Sequence, residues 1–151
     1  MARILAVDPG EKRIGIALSD PTGTIANPLT VLEHVSRLVN AATIAALAHE
    51  HQAERIIVGQ NIDEDGNPTA AGRSAARLAE ALHLQTNLPV ILWDETGSTA
   101  AARQAHIMMG GSRRDRQRRG HSHLDELAAT YILQTYLDTR TTPPHPGDSR
   151  P

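Results

Sequence analysis

The chain has no cysteine and no phenylalanine, and its only aromatic residues are Trp93, Tyr131 and Tyr136. Without thiols it forms neither disulfides nor thiolate metal sites, and a reducing cytoplasm is the expected compartment. So few rings exclude a platform for stacking unpaired bases and require an aliphatic core. The eight histidines are scattered, with no helical pair and third partner. A metal site would therefore be built from carboxylates, which favours Mg²⁺ or Mn²⁺ over zinc. Long apolar runs are also missing. The longest low-charge stretch, Leu38–Ala48, is far too short to span a bilayer. Asp8 interrupts the first apolar run after Val7, so no signal peptide is expected. These absences describe a soluble intracellular protein with no membrane partner.

What is present fits one domain: 151 residues, of which 40% are apolar. Arg3–Val7 and Ile14–Ser19 read as strands joined through the turn signal Asp8-Pro9-Gly10, hence a hairpin. Pro28–Glu33 is a weaker third strand. From Ser36 to about His51, Leu38, Val39, Ala42, Ala45 and Ala46 have helical spacing. Arg55–Val58 is a short strand entering the polar loop Gly59–Pro68, and an alanine-rich helix runs on to about Leu84. Pro89–Trp93 is a further strand, Ser98 or Thr99 caps a helix to Met109, and Ser122 opens a last helix to about Asp138. Four prolines from Thr139 onward predict a disordered tail over 139–151, leaving 1–138 as the domain. A hairpin followed by alternating helices and strands predicts an α/β fold, with a mixed central sheet and helices on both faces.

Three segments place acids where strands end or helices begin: Asp8, the pair Asp94-Glu95, and Asp125. In open α/β sheets the crevice beyond the strand ends is the usual place for a site. Helical spacing puts Asp125 in line with Ala129, Ile132 and Tyr136, on an apolar stripe where a lone carboxylate is costly. Two carboxylates about 4 Å apart repel by roughly 4 kcal/mol at an effective dielectric near 20, so clustered acids need a shared cation or raised pKa values. Each acid also has a plainer role. Asp8 could be a turn residue, one of Asp94 and Glu95 a solvated loop acid, and Asp125 the capping-box partner of Ser122.

Arg113, Arg114, Arg116, Arg118 and Arg119 crowd a stretch, 110–120, without a single apolar residue. Such a run is either a solvated loop or a cationic flap for phosphates, giving salt-dependent binding with little sequence readout. Lys12 and Arg13, in the hairpin beside Asp8, either touch phosphate or balance the acids. A loop of acids and amides at Gly59–Gly66 lacks the lysine and spacing of a phosphate cradle.

The run Ala6-Val7-Asp8-Pro9-Gly10-Glu11-Lys12-Arg13-Ile14-Gly15-Ile16-Ala17-Leu18-Ser19-Asp20 resembles the opening of the YqgF/RuvX family. Ile57-Val58-Gly59, Asp65-Gly66, Trp93-Asp94-Glu95 with Ser98-Thr99, and Asp125 with Ala128-Ala129 and Ile132-Leu133-Gln134 are similar to its later segments, in order, over residues 3–138. The resemblance implies an RNase H-like fold and a nuclease. The family is assigned to maturation of the 5′ end of pre-16S rRNA and was earlier described as Holliday junction resolvases. It also implies Asp8, Glu95 and Asp125 as the catalytic acids and metal ligands. Gln60-Asn61 and Thr96-Gly97 depart from the family pattern. The expected reaction is metal-assisted phosphodiester hydrolysis. The expected partner is pre-rRNA or, alternatively, branched DNA. A nucleotide-binding module of the actin-like kind needs a longer chain, and a catalytically silent RNA-binding assembly factor is the remaining rival. Oligomeric state is not legible.

Overall fold

A computed structural model describes residues 3–10, 12–94 and 127–140. Strands β1 (Arg3–Pro9), β2 (Arg13–Ser19), β3 (Ala26–Glu33), β4 (Ala53–Gln60) and β5 (Val90–Asp94) form one sheet in the order β3-β2-β1-β4-β5. β1 is antiparallel to β2 and parallel to β4, while β3 and β5 close the two edges. Ile4, Leu5, Ala6 and Val7 are all fully buried, because a central strand covered on both faces has no side for polar residues. β3, at the edge, is less covered: Leu29 to Leu32 are half-buried, and Asn27, Pro28 and Glu33 are exposed. The expected mixed sheet opening on a hairpin is observed.

Strand alternation sorts the core into two layers. Leu5, Val7, Ile14, Ile16, Ile56 and Val58 pack beneath helices α1 (Arg37–Glu50) and α2 (Ala70–Gln85). Ile4, Ala6, Ala17 and Ile57 pack on the opposite face beneath a helix at 127–140, here α3. That helix contributes Ala129, Ile132, Leu133, Tyr136 and Leu137, all buried, and each large aliphatic among them contributes about 1.5–3 kcal/mol on burial. It continues through Arg140, two residues past the expected end at Asp138. The expected helix ending at Met109, the arginine run and the tail beyond Arg140 lie outside the described residues.

Polar contacts dock α3 at three places. Gln134 accepts from the Ala26 N–H at 2.9 Å and donates to the Thr24 carbonyl at 3.0 Å. The Trp93 indole N–H donates to Thr135 Oγ1 at 3.1 Å, and Arg55 donates to the Tyr136 hydroxyl at 2.9 Å. Trp93 and Tyr136 meet edge to face with ring centroids 5.2 Å apart. Two of the chain's three aromatic residues are thus spent on this one contact.

One sequence expectation is corrected. α1 is a helix, capped by Ser36, but it buries Asn40, Ala41, Ile44, Ala45 and Ala48. Leu38 and Val39 face outward at 61% and 49% exposure, and Ala42 and Ala46 are exposed with them. Asn40 explains the rotation. Its amide donates to the Glu33 carbonyl and accepts from the Val35 N–H, satisfying two backbone groups where β3 hands over to the helix. Apolar periodicity alone could not register that demand.

Candidate functional site

Asp8 is a strand residue and not a turn residue. β1 runs on to Pro9, with Asp8 opposite Gly15 and Pro9 opposite Ile14. The turn follows, closed by a 2.9 Å bond from the Gly10 N–H to the Arg13 carbonyl. A side chain at Gly10 would place its Cβ only 2.4 Å from that carbonyl oxygen, so this tight closure needs glycine. Asp8 is half-buried and has the parity of Ile4 and Ala6, which places it on the α3 face of the sheet.

Glycine flanks Asp8 on both sides. Gly15 stands across from it on β2. On β4, Gly59 follows Val58, the partner of Val7, and is itself paired with Trp93 of β5. A row Gly15–Asp8–Gly59–Trp93 thus crosses the sheet at one level. With strands about 4.8 Å apart, Asp8 and Trp93 are separated by roughly 10 Å, with no side chain on the intervening strand. Gly15 and Gly59 are themselves buried, while Asp8 between them is half-buried. The Asp8 carboxylate offers oxygen donors of the kind that a hard ion takes.

Asp94 has the parity of Val90 and Leu92, whereas Ile91 and Trp93 pack on the α3 face. Asp94 is exposed and pairs with Gln60 in the ladder. It therefore does not share a face with Asp8. Glu95 and Asp125 lie outside the described residues, as do Arg113, Arg114, Arg116, Arg118 and Arg119. Among the described residues no group of three histidines, cysteines or acids is placed to hold a metal ion. Lys12 is exposed and Arg13 half-buried in the turn beside Asp8.

The loop after β4 is structural, as its composition suggested. Asp63 accepts from the Asp65 and Asn67 N–H groups, and Gly66 takes a positive φ of 83°. Gln60 and Asn61, which depart from the family pattern, anchor the start of α2. Gln60 donates to the Gly72 carbonyl, and the Asn61 carbonyl accepts from both the Thr69 N–H and its hydroxyl. A strongly shifted acid among the described residues is Asp20. The Asp20 carboxyl, in the loop following β2, is lowered to about 2, first by the Thr22 hydroxyl and then by the Ile25 and Thr24 N–H groups. It orders the β2–β3 connection at the sheet end remote from Asp8.

Two features of the site escaped sequence reasoning. The glycine row was invisible because it joins three strands, although counting Gly15 back across the hairpin turn would have found its first member. The docking role of Trp93 was likewise hidden, since Thr135 and Tyr136 are far along the chain.

No helix among the described residues is long and apolar enough to cross a membrane. Comparison with known proteins adds the family. The chain is 37% identical over 147 residues to a protein of Syntrophus aciditrophicus named "Putative pre-16S rRNA nuclease", covering 97% of this chain and 95% of that one. A Myxococcus xanthus protein of the same name is 32% identical over 149 residues, covering 97% and 96% of the two chains. Among solved structures, Thermus thermophilus RuvC in complex with a Holliday junction substrate superposes with a TM-score of 0.56 at 14% identity, covering 94% of this chain and 97% of that one. The Fowlpox virus resolvase bound to Holliday junction DNA gives 0.54 at 15% identity, covering 93% and 99%. At those identities the likeness is one of fold, the RNase H-like fold of the resolvases. The family model described as RuvX, Holliday junction resolvase, matches residues 2–139, and with the relatives above it shows that this chain belongs to the RuvX family.

Proposed function

We propose that this protein is a metal-dependent nuclease that hydrolyses phosphodiester bonds in the cytoplasm, acting on the 5′ end of pre-16S rRNA. The observation that carries the reading is the placement of Asp8, at the carboxyl end of the central strand, on the α3 face, with glycine to either side. Asp94 lies on the other face from Asp8, and the family resemblance points to Glu95 as the acid that joins it. In sequence Asp125 is spaced by four, seven and eleven from Ala129, Ile132 and Tyr136, which are buried, so a helix continued back to it would turn it the same way. Asp8, Glu95 and Asp125 would then hold Mg²⁺ or Mn²⁺ together. A cation held there would supply the charge that activates water and offsets the leaving oxygen, so no protein nucleophile would be required. The acids hold and orient, while Lys12, Arg13 and the arginines at 113, 114, 116, 118 and 119 neutralise the phosphate backbone. The naming of the relatives favours the rRNA precursor as substrate.

A second reading has its own support. The family description and the junction-bound solved neighbours favour branched DNA cut by the same site. The deciding experiment offers a pre-16S 5′ leader RNA and a four-way DNA junction to the wild type, Asp8→Asn and Asp125→Asn, with Mg²⁺ or Mn²⁺. Cleavage of the leader, abolished in both variants, is expected. Leader cleavage by Asp8→Asn at the wild-type rate would sink the assignment, and cleavage of the junction alone would transfer it to DNA. Binding without cleavage, lost when Arg113–Arg119 is neutralised, would mark an assembly factor instead.

A further inference from the structure

The opposite face of the sheet carries a second feature at the same end. A cavity of about 430 Å³ opens between the β1–β2 turn, α1 and α2, lined by Pro9, Gly10, His34, Arg37, Asn40 and Ser74 among others. Its polar lining consists of one guanidinium, one imidazole, one hydroxyl and one amide, with no carboxylate among the described residues. The amide of Asn40 is committed to the backbone of Glu33 and Val35. Arg37 is exposed and makes no ion pair among the described residues. His34 is held over the turn by its own N–H, which donates to the Lys12 carbonyl at 2.9 Å. A guanidinium with no ion-pair partner among the described residues and a hydroxyl at the mouth of a cavity of this size suit an anion, and a guanidinium matches phosphate geometry better than an ammonium does.

We propose that this cavity is a strand-anchoring subsite, which takes a backbone phosphate of the nucleic acid whose neighbouring phosphate lies at Asp8. This rests on the nuclease reading only in taking Asp8 as the cleavage centre. The connection is the β1–β2 turn. Asp8 faces the α3 side, while Pro9 and Gly10, the next two residues, form the rim of the cavity on the α1–α2 side. Two residues of chain span at most about 7 Å, so the rim of the cavity lies close to the strand end that carries Asp8. A strand draped over this end of the sheet meets both sites, beside the exposed Lys12. Arg37 and Ser74 position the strand and take no part in bond cleavage.

The test is binding of a 3′-labelled single-stranded oligoribonucleotide to the full chain with metal chelated, followed by fluorescence anisotropy from 50 to 200 mM salt. Arg37 is exposed, so Arg37→Gln should fold normally, which its melting temperature checks. The expected result is a roughly tenfold weaker Kd for Arg37→Gln, with the log–log salt slope reduced by about 0.7. Ser74→Ala should give a smaller loss, and kcat at saturating substrate should be unchanged in both. An unchanged Kd and slope in Arg37→Gln would overturn the subsite, and would leave the nuclease reading intact if Asp8→Asn still abolishes cleavage. Conversely, weakened binding in Arg37→Gln with undiminished cleavage by Asp8→Asn would keep the subsite and remove Asp8 from the chemistry. Inorganic phosphate and a nucleoside 5′-monophosphate are run as competitors. If Arg37→Gln loses these small anions but binds the oligonucleotide like the wild type, the cavity serves a free phosphate compound and the strand proposal falls.

Discussion

Asp8 and Gly15 face each other across the β1–β2 ladder, so the carboxylate at the end of the central strand has no side chain beside it on that neighbouring strand. Filling this space tests whether the glycine row matters. Gly15 is buried, so Gly15→Val should cost about 1–3 kcal/mol by overpacking, partly offset by the β-preference of valine. Nuclease activity and Mn²⁺ affinity should fall by far more than that loss of stability explains. Metal titration by calorimetry on the folded variant checks this, and wild-type affinity would show that the space beside Asp8 is not used.

Gln134 is the main polar clamp between α3 and the β2–β3 connection, with bonds to Ala26, Thr24 and Asp138. Removing it leaves the Ala26 N–H without its acceptor, and a buried unpaired donor costs about 1–3 kcal/mol. Gln134→Ala is therefore expected to lower stability by that amount in chemical denaturation. Gln134→Glu keeps an acceptor for Ala26 but loses the donor to Thr24 and sets a second charge beside Asp138. It should fall between the two.

Gly72 sets local propensity against packing. Alanine is the better helix former by about 1 kcal/mol. At this position, however, its Cβ would lie 2.2 Å from the Asn61 carbonyl oxygen, a contact that forces the start of α2 away from the β4 loop. The clash should win, and Gly72→Ala is expected to destabilise the protein by about 1–3 kcal/mol in urea unfolding. A variant more stable than the wild type would show that α2 is free to shift.

Asp20 gives the acid limb of stability a definite sign. Its carboxyl is lowered from 3.8 to about 2 in the folded protein, foremost by the Thr22 hydroxyl. A depressed folded pKa contributes stability that is complete above the unfolded value and is lost as pH falls towards the folded one. The melting-temperature gap between wild type and Asp20→Ala should therefore be constant from pH 5 to 7 and should shrink as pH falls from about 4 to 2. A gap that widens on acidification would contradict the hydrogen-bonded carboxylate.

The sequence alone determined the aliphatic core, the opening hairpin, the order of the described elements, and Asp8 as the acid at the end of the first strand. Each of these follows from local information: a run of apolar residues, a turn signal, a period of two or of about four. The family resemblance was also legible, since motif order and spacing are linear properties. Tertiary structure decided what lies beside what. It extended β1 through Asp8 and so took that residue out of the turn. It turned Leu38 and Val39 of α1 to the outside because Asn40 was needed within. It separated Asp94 from the face of Asp8, and it aligned Gly15, Asp8, Gly59 and Trp93 in one row. The physical reason is common to all of these. Which face a residue occupies depends on pairings between segments distant in sequence, such as Gln134 with Ala26 across 108 residues. No local periodicity encodes such a pairing.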